Sequence, residues 1–197
     1  MLFTGKGDHG DTTHPASSKR ISKTDPVIEA LGSVDELNAW IGYCRVKFSE
    51  TSLRAKRSNP DPILSSRAAS RDLDNHTLAD VLFQVQQDLF IIQAELVGMK
   101  KLEEGKVRNL ESWIAAIEQE LPPITTFFLP GGTELSSMLD VARTVCRRAE
   151  RRVVALSERS SLNPHLLAYL NRLSSLLYAL TRLVNHRSGI LEEAPKY

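Results

Sequence analysis

The chain has 197 residues, of which 42% are hydrophobic, 25% charged and 6% aromatic, with a formal net charge of +1. That length and balance describe one domain able to bury a core, and they exclude wholesale disorder. The near-neutral charge removes any global argument for a nucleic-acid or membrane-surface protein. No apolar run approaches the ~20 residues of a membrane span. Cys44 and Cys146 lie in apolar helical stretches without a CxxC spacing, and both are expected as small core residues in a reducing compartment. The first residues carry no apolar h-region, and Asp8 and Asp11 argue against an acid-poor transit peptide, so the expected location is the cytoplasm.

In chain order, residues 1–24 are polar and Gly-rich with no helical period. Asp25 is then an N-cap and Pro26 suits a first helical position. Val27, Ala30, Leu31, Val34, Leu37, Ile41, Cys44 and Phe48 follow at spacings of three and four, predicting the first helix. Residues 49–76, with six serines, Pro60 and Pro62, show no period and are expected to form a mobile loop. Thr77 and Asp80 resemble a capping box. Leu78, Leu82, Val85, Leu89, Ile92 and Leu96 predict a second helix ending near Gly98. Val107, Leu110, Ile114, Ile117 and Leu121 predict a third, stopped by Pro122 and Pro123. Residues 124–132 form an apolar loop closed by Pro130-Gly131-Gly132. A long helix is expected from Thr133 to about Ser160, and a last one from Asn163 as N-cap, with Leu166, Leu170, Leu173, Leu177, Leu180 and Val184 on its stripe. A helical domain over 25–187 is followed by a tail, 188–197. Five helices and no convincing strand imply an all-α, up-down five-helix bundle.

Gly5-Lys6-Gly7-Asp8-His9-Gly10 satisfies GxGxxG, but no strand precedes it and no helix follows, so the dinucleotide reading fails. Its composition still suits phosphate: glycines let backbone N–H groups approach oxygens, and Thr4, Lys6, Thr12 and Thr13 add donors. An unstructured tail has the same composition. Lys19, Arg20 and Lys23 fit an ordinary solvated loop. Arg143, Arg147 and Arg151 share one helix stripe, with Arg148 and Arg152 about 100° away. Like charges so spaced repel unless an anion sits there, although Glu150 can pair with Arg147. The two readings are a salt-bridged exposed face and a clamp for a nucleotide phosphate chain. Asn171 and Arg172 interrupt a leucine-rich helix, and Asp35 and Glu36 sit mid-helix, where the arginine stripe is the natural partner. The histidines have no HxxxH or HExxH spacing, and nothing singles out a Ser-His-Asp set.

Three blocks, in order, resemble the PduO-type ATP:cob(I)alamin adenosyltransferases over almost the whole chain outside 49–76. Residues 3–12, FTGKGDHGDT, are similar to the family's YT-(R/K)-(T/N)-GD-(K/D)-G-x-T, with Gly5 where the family has a basic residue and Lys6 where it has Thr or Asn. Residues 29–38, EALGSVDELN, are similar to EA-x-G-x-VDELN. The third block runs from Phe128-Leu129-Pro130-Gly131-Gly132 through Ala142–Arg151 to Tyr169-Leu170-Asn171-Arg172-Leu173-Ser174.

The resemblance implies a homotrimer of five-helix bundles with active sites between subunits. It implies transfer of the 5′-deoxyadenosyl group of ATP, with Mg²⁺, to the cobalt of reduced cobalamin or a related corrinoid, releasing triphosphate. Thr4, Gly5, Lys6, Gly7, Thr12, Thr13 and Lys23, in the 1–24 segment, would hold the ATP phosphates. Arg147, Arg148, Glu150, Arg151 and Asn171 would complete the nucleotide site, with no metal ligand from a side chain. Arg143 would pair with Asp35 across the subunit interface, and Phe127 would lie under the corrin ring and displace the lower axial ligand. A corrinoid reductase or an adenosylcobalamin-dependent enzyme would be the protein partner. Two other classes fit less: a helical module that senses ATP or a corrinoid without chemistry, and a polyanion-binding bundle whose nucleic-acid affinity would fall steeply with salt.

Overall fold

The computed structural model describes residues 3–58, with 51–58 by backbone alone, and 77–196. Among these it contains five helices and one two-stranded sheet: β1 (Asp11–Thr13), β2 (Arg20–Ser22), α1 (Pro26–Ser58), α2 (Leu78–Leu96), α3 (Glu104–Glu118), α4 (Glu134–Ser157) and α5 (Pro164–Arg187). The strands pair antiparallel with Thr12 opposite Ile21. The sequence reading has no strand here, because three residues are too few to display an alternation.

The helix starts follow local cap chemistry. The Asp25 carboxylate accepts from the Val27 N–H at 3.0 Å at the head of α1. Thr77 and Asp80 form a reciprocal capping box at α2, and Thr133 and Ser136 form another at α4. The Asn163 carbonyl oxygen accepts from the His165 N–H, with Pro164 in the first turn of α5. Gly98, at φ +78°, follows the end of α2 in the left-handed region that favours glycine.

One expectation is corrected. α1 does not end at residue 48; its backbone stays helical through Ser58, so the first ten residues assigned to a loop belong to it. The segment lacks an apolar stripe but contains no Pro or Gly to break the helix. The rest of that predicted loop, 59–76, lies outside the described residues.

α1 packs on α2 and α4, α4 on α5, and α5 on α3. Their stripes meet in one core that includes Val34, Leu37, Ile41, Leu82, Leu89, Leu139, Ala149, Leu170 and Leu177. Cys44 and Cys146 are both free and buried in it; burial pushes the Cys44 thiol up to about 11, and the Cys146 SH lies against the Leu170 carbonyl.

Asp88 on α2 closes the remaining sides. It is 1% exposed and accepts from the Tyr169 hydroxyl of α5 at 3.1 Å and from Gln84 at 2.9 Å, while Lys106 of α3 pairs with it at 2.9 Å. Burial, and then the Asp88 charge, drive the Tyr169 hydroxyl well above its ordinary pKa, so it stays a donor. A hydrogen bond to a charged group contributes about 1.5–3 kcal/mol. Tyr169→Phe is therefore expected to lower unfolding free energy by about that much in urea titration; an unchanged midpoint would mean that this network does not hold α2 to α5.

Candidate functional site

The Gly-rich N-terminus is folded rather than loose. Turns at Gly5–Asp8 and Gly7–Gly10 lead into the hairpin, and the Lys23 N–H returns to the Gly10 carbonyl at 2.9 Å. Arg20 holds this segment together: its guanidinium donates to both Asp11 oxygens, to the Thr13 hydroxyl at 3.2 Å and to the Lys6 carbonyl. That hydrogen bonding keeps the Asp11 carboxyl below its usual range. Arg20 is a residue the sequence reading left as part of a solvated loop; the register that sets Thr13 opposite it is its only signal.

Lys23 lies over Gly7. Its Nζ donates to the Gly7 carbonyl at 2.7 Å, and a Cβ built at Gly7 would come within 3.2 Å of that nitrogen. Thr4 accepts from the Lys6 N–H at 3.4 Å, Gly5 has φ +67°, and Thr12 is half-buried on β1. All seven phosphate candidates, Thr4, Gly5, Lys6, Gly7, Thr12, Thr13 and Lys23, therefore belong to one compact turn-and-hairpin unit. Ile21 packs it against the helical core.

On α4 the five arginines divide. Arg143 pairs with Asp140 at 3.1 Å, a turn earlier, and its guanidinium lies 5.9 Å from the Tyr178 ring centroid. Arg148 pairs with Glu36 and Arg152 with Glu29 at 3.8 Å, both on α1. So the salt-bridged reading holds for these two, and Arg148 is the one arginine among the ATP candidates on α4 that is ion-paired to a neighbouring helix. Arg147 and Arg151 are exposed and make no hydrogen bond or ion pair among the described residues. Glu150 does not pair with Arg147; it accepts from the Asn171 amide at 3.1 Å. Arg172 donates to the Asn171 carbonyl oxygen at 2.8 Å and to Glu111 at 3.0 Å, which fixes the orientation of that amide.

Asp35 is exposed on α1, with Gln93 of α2 at 3.5 Å. Within one chain it does not meet Arg143, whose carboxylate partner is Asp140. Phe127 is 80% exposed, so the core reading of that residue fails. Its neighbour Phe128 is half-buried beneath the Arg182 guanidinium, 5.3 Å from the ring centroid.

Two clusters thus exist in one chain: an N-terminal hairpin rich in backbone donors, and an α4–α5 face with two unpaired guanidinium groups beside a fixed carboxylate–amide pair. Among the described residues no hydrogen bond or ion pair joins them. No described helix is long and apolar enough to cross a membrane.

Comparison with known proteins identifies the family of the chain and agrees with its helical fold. Residues 2–184 match the family described as cobalamin adenosyltransferase. The chain is 37% identical over 191 residues to a corrinoid adenosyltransferase of Bacillus subtilis (strain 168), covering 96% of this chain and 89% of that one. It is 36% identical over 190 residues to a cobalamin adenosyltransferase of Cupriavidus metallidurans, covering 95% and 90%. Among solved structures, a variant PduO-type ATP:corrinoid adenosyltransferase from Lactobacillus reuteri, complexed with cobalamin and ATP, superposes with a TM-score of 0.78 at 30% identity, covering 100% of both chains. With a family match over residues 2–184 and relatives at 30–37% identity over nearly the whole chain, the chain belongs to the cobalamin adenosyltransferase family.

Proposed function

We propose that the chain transfers the 5′-deoxyadenosyl group of ATP to the cobalt of reduced cobalamin or a related corrinoid. The observation that carries this reading is the pair of unpaired guanidinium groups, Arg147 and Arg151, beside the Glu150–Asn171 pair on a chain of this family. Co(I) supplies the nucleophilic electron pair. It attacks C5′, the C5′–O5′ bond breaks, and triphosphate leaves with that bonding pair. No protein nucleophile or general base is required; the protein aligns the two reactants and stabilises charge growing on the leaving group.

In this reading Thr4, Gly5, Lys6, Gly7, Thr12, Thr13 and Lys23 hold the phosphates with Mg²⁺, and Arg147, Arg151, Glu150 and Asn171 complete the nucleotide site. Arg148, ion-paired to Glu36, would reach the nucleotide only by leaving that partner. The separation of the two clusters in one chain supports an assembly in which one subunit's hairpin meets another's α4 face. We take that assembly as a homotrimer of up-down bundles. Exposed apolar side chains on α1 and α2, Tyr43, Val46, Phe83 and Phe90, support burial of this side by a second copy. Asp35 and Arg143 then pair between subunits, and Phe127 stands under the corrin, keeping a lower ligand off cobalt. A cytoplasmic setting and a reductase that supplies Co(I) complete the proposal.

The deciding experiment is incubation with ATP, Mg²⁺ and chemically reduced cobalamin. Appearance of the alkyl-cobalamin spectrum with release of triphosphate supports transfer; binding of both ligands without it supports a sensor instead. Arg147→Ala is expected to lower kcat by ~10²–10³ with the melting temperature unchanged. Near-normal turnover at saturating ATP would remove Arg147 from the site.

For the subunit contact, Asp35→Asn and Arg143→Gln are each expected to reduce activity or trimer recovery, with coupling of ~0.5–3 kcal/mol in the double-mutant cycle. Strict additivity would show that the two do not touch. Phe127→Ala is expected to leave stability intact, where loss of a core Phe would cost ~3–5 kcal/mol. Product formation from Co(II) with a mild reductant should collapse, and that from preformed Co(I) should fall much less, because Co(I) carries no lower ligand to remove. An equal loss with both cobalt states would place another side chain under the corrin.

A further inference from the structure

Arg182 stands out on α5. It is 4% exposed in the most leucine-rich helix of the chain, and it is far from the arginine stripe of α4 in sequence and in role. A buried guanidinium is stable only when its charge and its N–H groups are met. Here they are met by two segments outside the helices. Nε donates to Glu192 Oε2 at 2.9 Å, on the C-terminal strand of chain that follows α5, and Nη2 donates to the Pro122 carbonyl at 3.1 Å. The same guanidinium covers the Phe128 ring.

These contacts converge on the loop that carries Phe127. The loop is fixed at its start by Arg182 on Pro122. At its end the Asn185 amide, one turn further along α5 and 3% exposed, donates to the Gly131 carbonyl at 2.9 Å. The C-terminal segment adds a third point, where the Leu129 N–H donates to the Glu193 carbonyl at 2.8 Å. Phe127 lies between anchors on either side and is itself 80% exposed; at the far end of the loop the Gly131 N–H also donates to Asp140 and the Ser136 hydroxyl to the Gly131 carbonyl, both at 3.3 Å. The latch also borders the α4 face. Tyr178, whose ring lies by Arg143, has Arg182, Glu192, Arg143 and Asp140 as the charges acting on its hydroxyl.

We propose that Arg182 is a positioning residue for the corrinoid half of the reaction: latched to Glu192, it ties the C-terminal segment to the 122–131 loop and thereby sets where Phe127 stands. The inference rests on the proposed role of Phe127 and assigns the residues behind it. The segment after α5 is then a working part of the site rather than a tail.

The test uses the full-length chain with Glu192→Ala, Arg182→Met and Phe127→Ala beside the wild type. Glu192→Ala breaks the latch from its more exposed side, and Arg182→Met keeps the buried volume. With cob(II)alamin and ATP, the four-coordinate Co(II) absorbance is expected to fall at least fivefold in both latch variants. The KM for corrinoid should rise at least fivefold and the KM for ATP should change less than twofold. A merely structural ion pair would lower the melting temperature and leave the KM ratio and the Co(II) spectrum alone. That outcome in Glu192→Ala, which does not depend on Arg182→Met folding, overturns the proposal, as does an equal rise in both KM values. If Phe127→Ala itself leaves the Co(II) spectrum unchanged, the fault lies with the reading of Phe127. If it abolishes that spectrum and Glu192→Ala does not, the fault lies with the latch.

Discussion

Repulsion along α4 is the constraint around which the molecule is arranged. Three arginines on one stripe and two beside it cannot coexist unless each positive charge finds an anion or water. The buried side of α4 is committed to the core through Leu135, Leu139, Ala142, Cys146, Ala149 and Val153, so the helix cannot rotate its arginines away. The fold answers by giving Asp140 to Arg143 and the acidic residues of α1 to Arg148 and Arg152. What remains is a site of net positive charge at Arg147 and Arg151. On the proposed reading a polyphosphate would occupy it, because guanidinium groups meet phosphate oxygens with paired donors and lose little by leaving water.

How much of this was legible in the sequence depended on how local the controlling physics is. The starts of α1, α2, α4 and α5 were readable at Asp25, Thr77, Thr133 and Asn163, because capping is decided within four residues. The stripes of Leu and Val were readable for the same reason, with the 3.6-residue period repeated over many turns. The extension of α1 to Ser58 was not, since a helix without an apolar face leaves no period to find. The hairpin was hidden by its length, and with it the role of Arg20, which is defined by a register and not by a motif.

The candidate site followed the same division. Family motifs brought out the glycines, the α4 arginines and Asn171. The family resemblance named Phe127 over its neighbour Phe128, but the pattern of residues alone could not tell a core ring from an exposed one; their exposures do, with Phe127 at 80%. Helical spacing put Arg148 about 100° from Arg147, but it did not say which of the α4 arginines would take Glu36, more than a hundred residues away. Arg182 and Asn185 were invisible for a related reason: both are polar residues in an apolar helix, and their partners, the Pro122 and Gly131 carbonyls and the Glu192 carboxylate, lie outside it.

The N-terminal unit has one more property, and it concerns rates. Its bonds are mostly internal, from Arg20 and Lys23 to the carbonyls and side chains of the same segment, and it rests on the core through Ile21. Such a unit detaches as a whole at a small fraction of the free energy of global unfolding. On the proposed reading, triphosphate held by that unit would have an exit that requires no movement of the five helices. The residence time of the product would then follow how often the hairpin lifts, and substitution at Ile21 would tune it without touching a proposed phosphate contact.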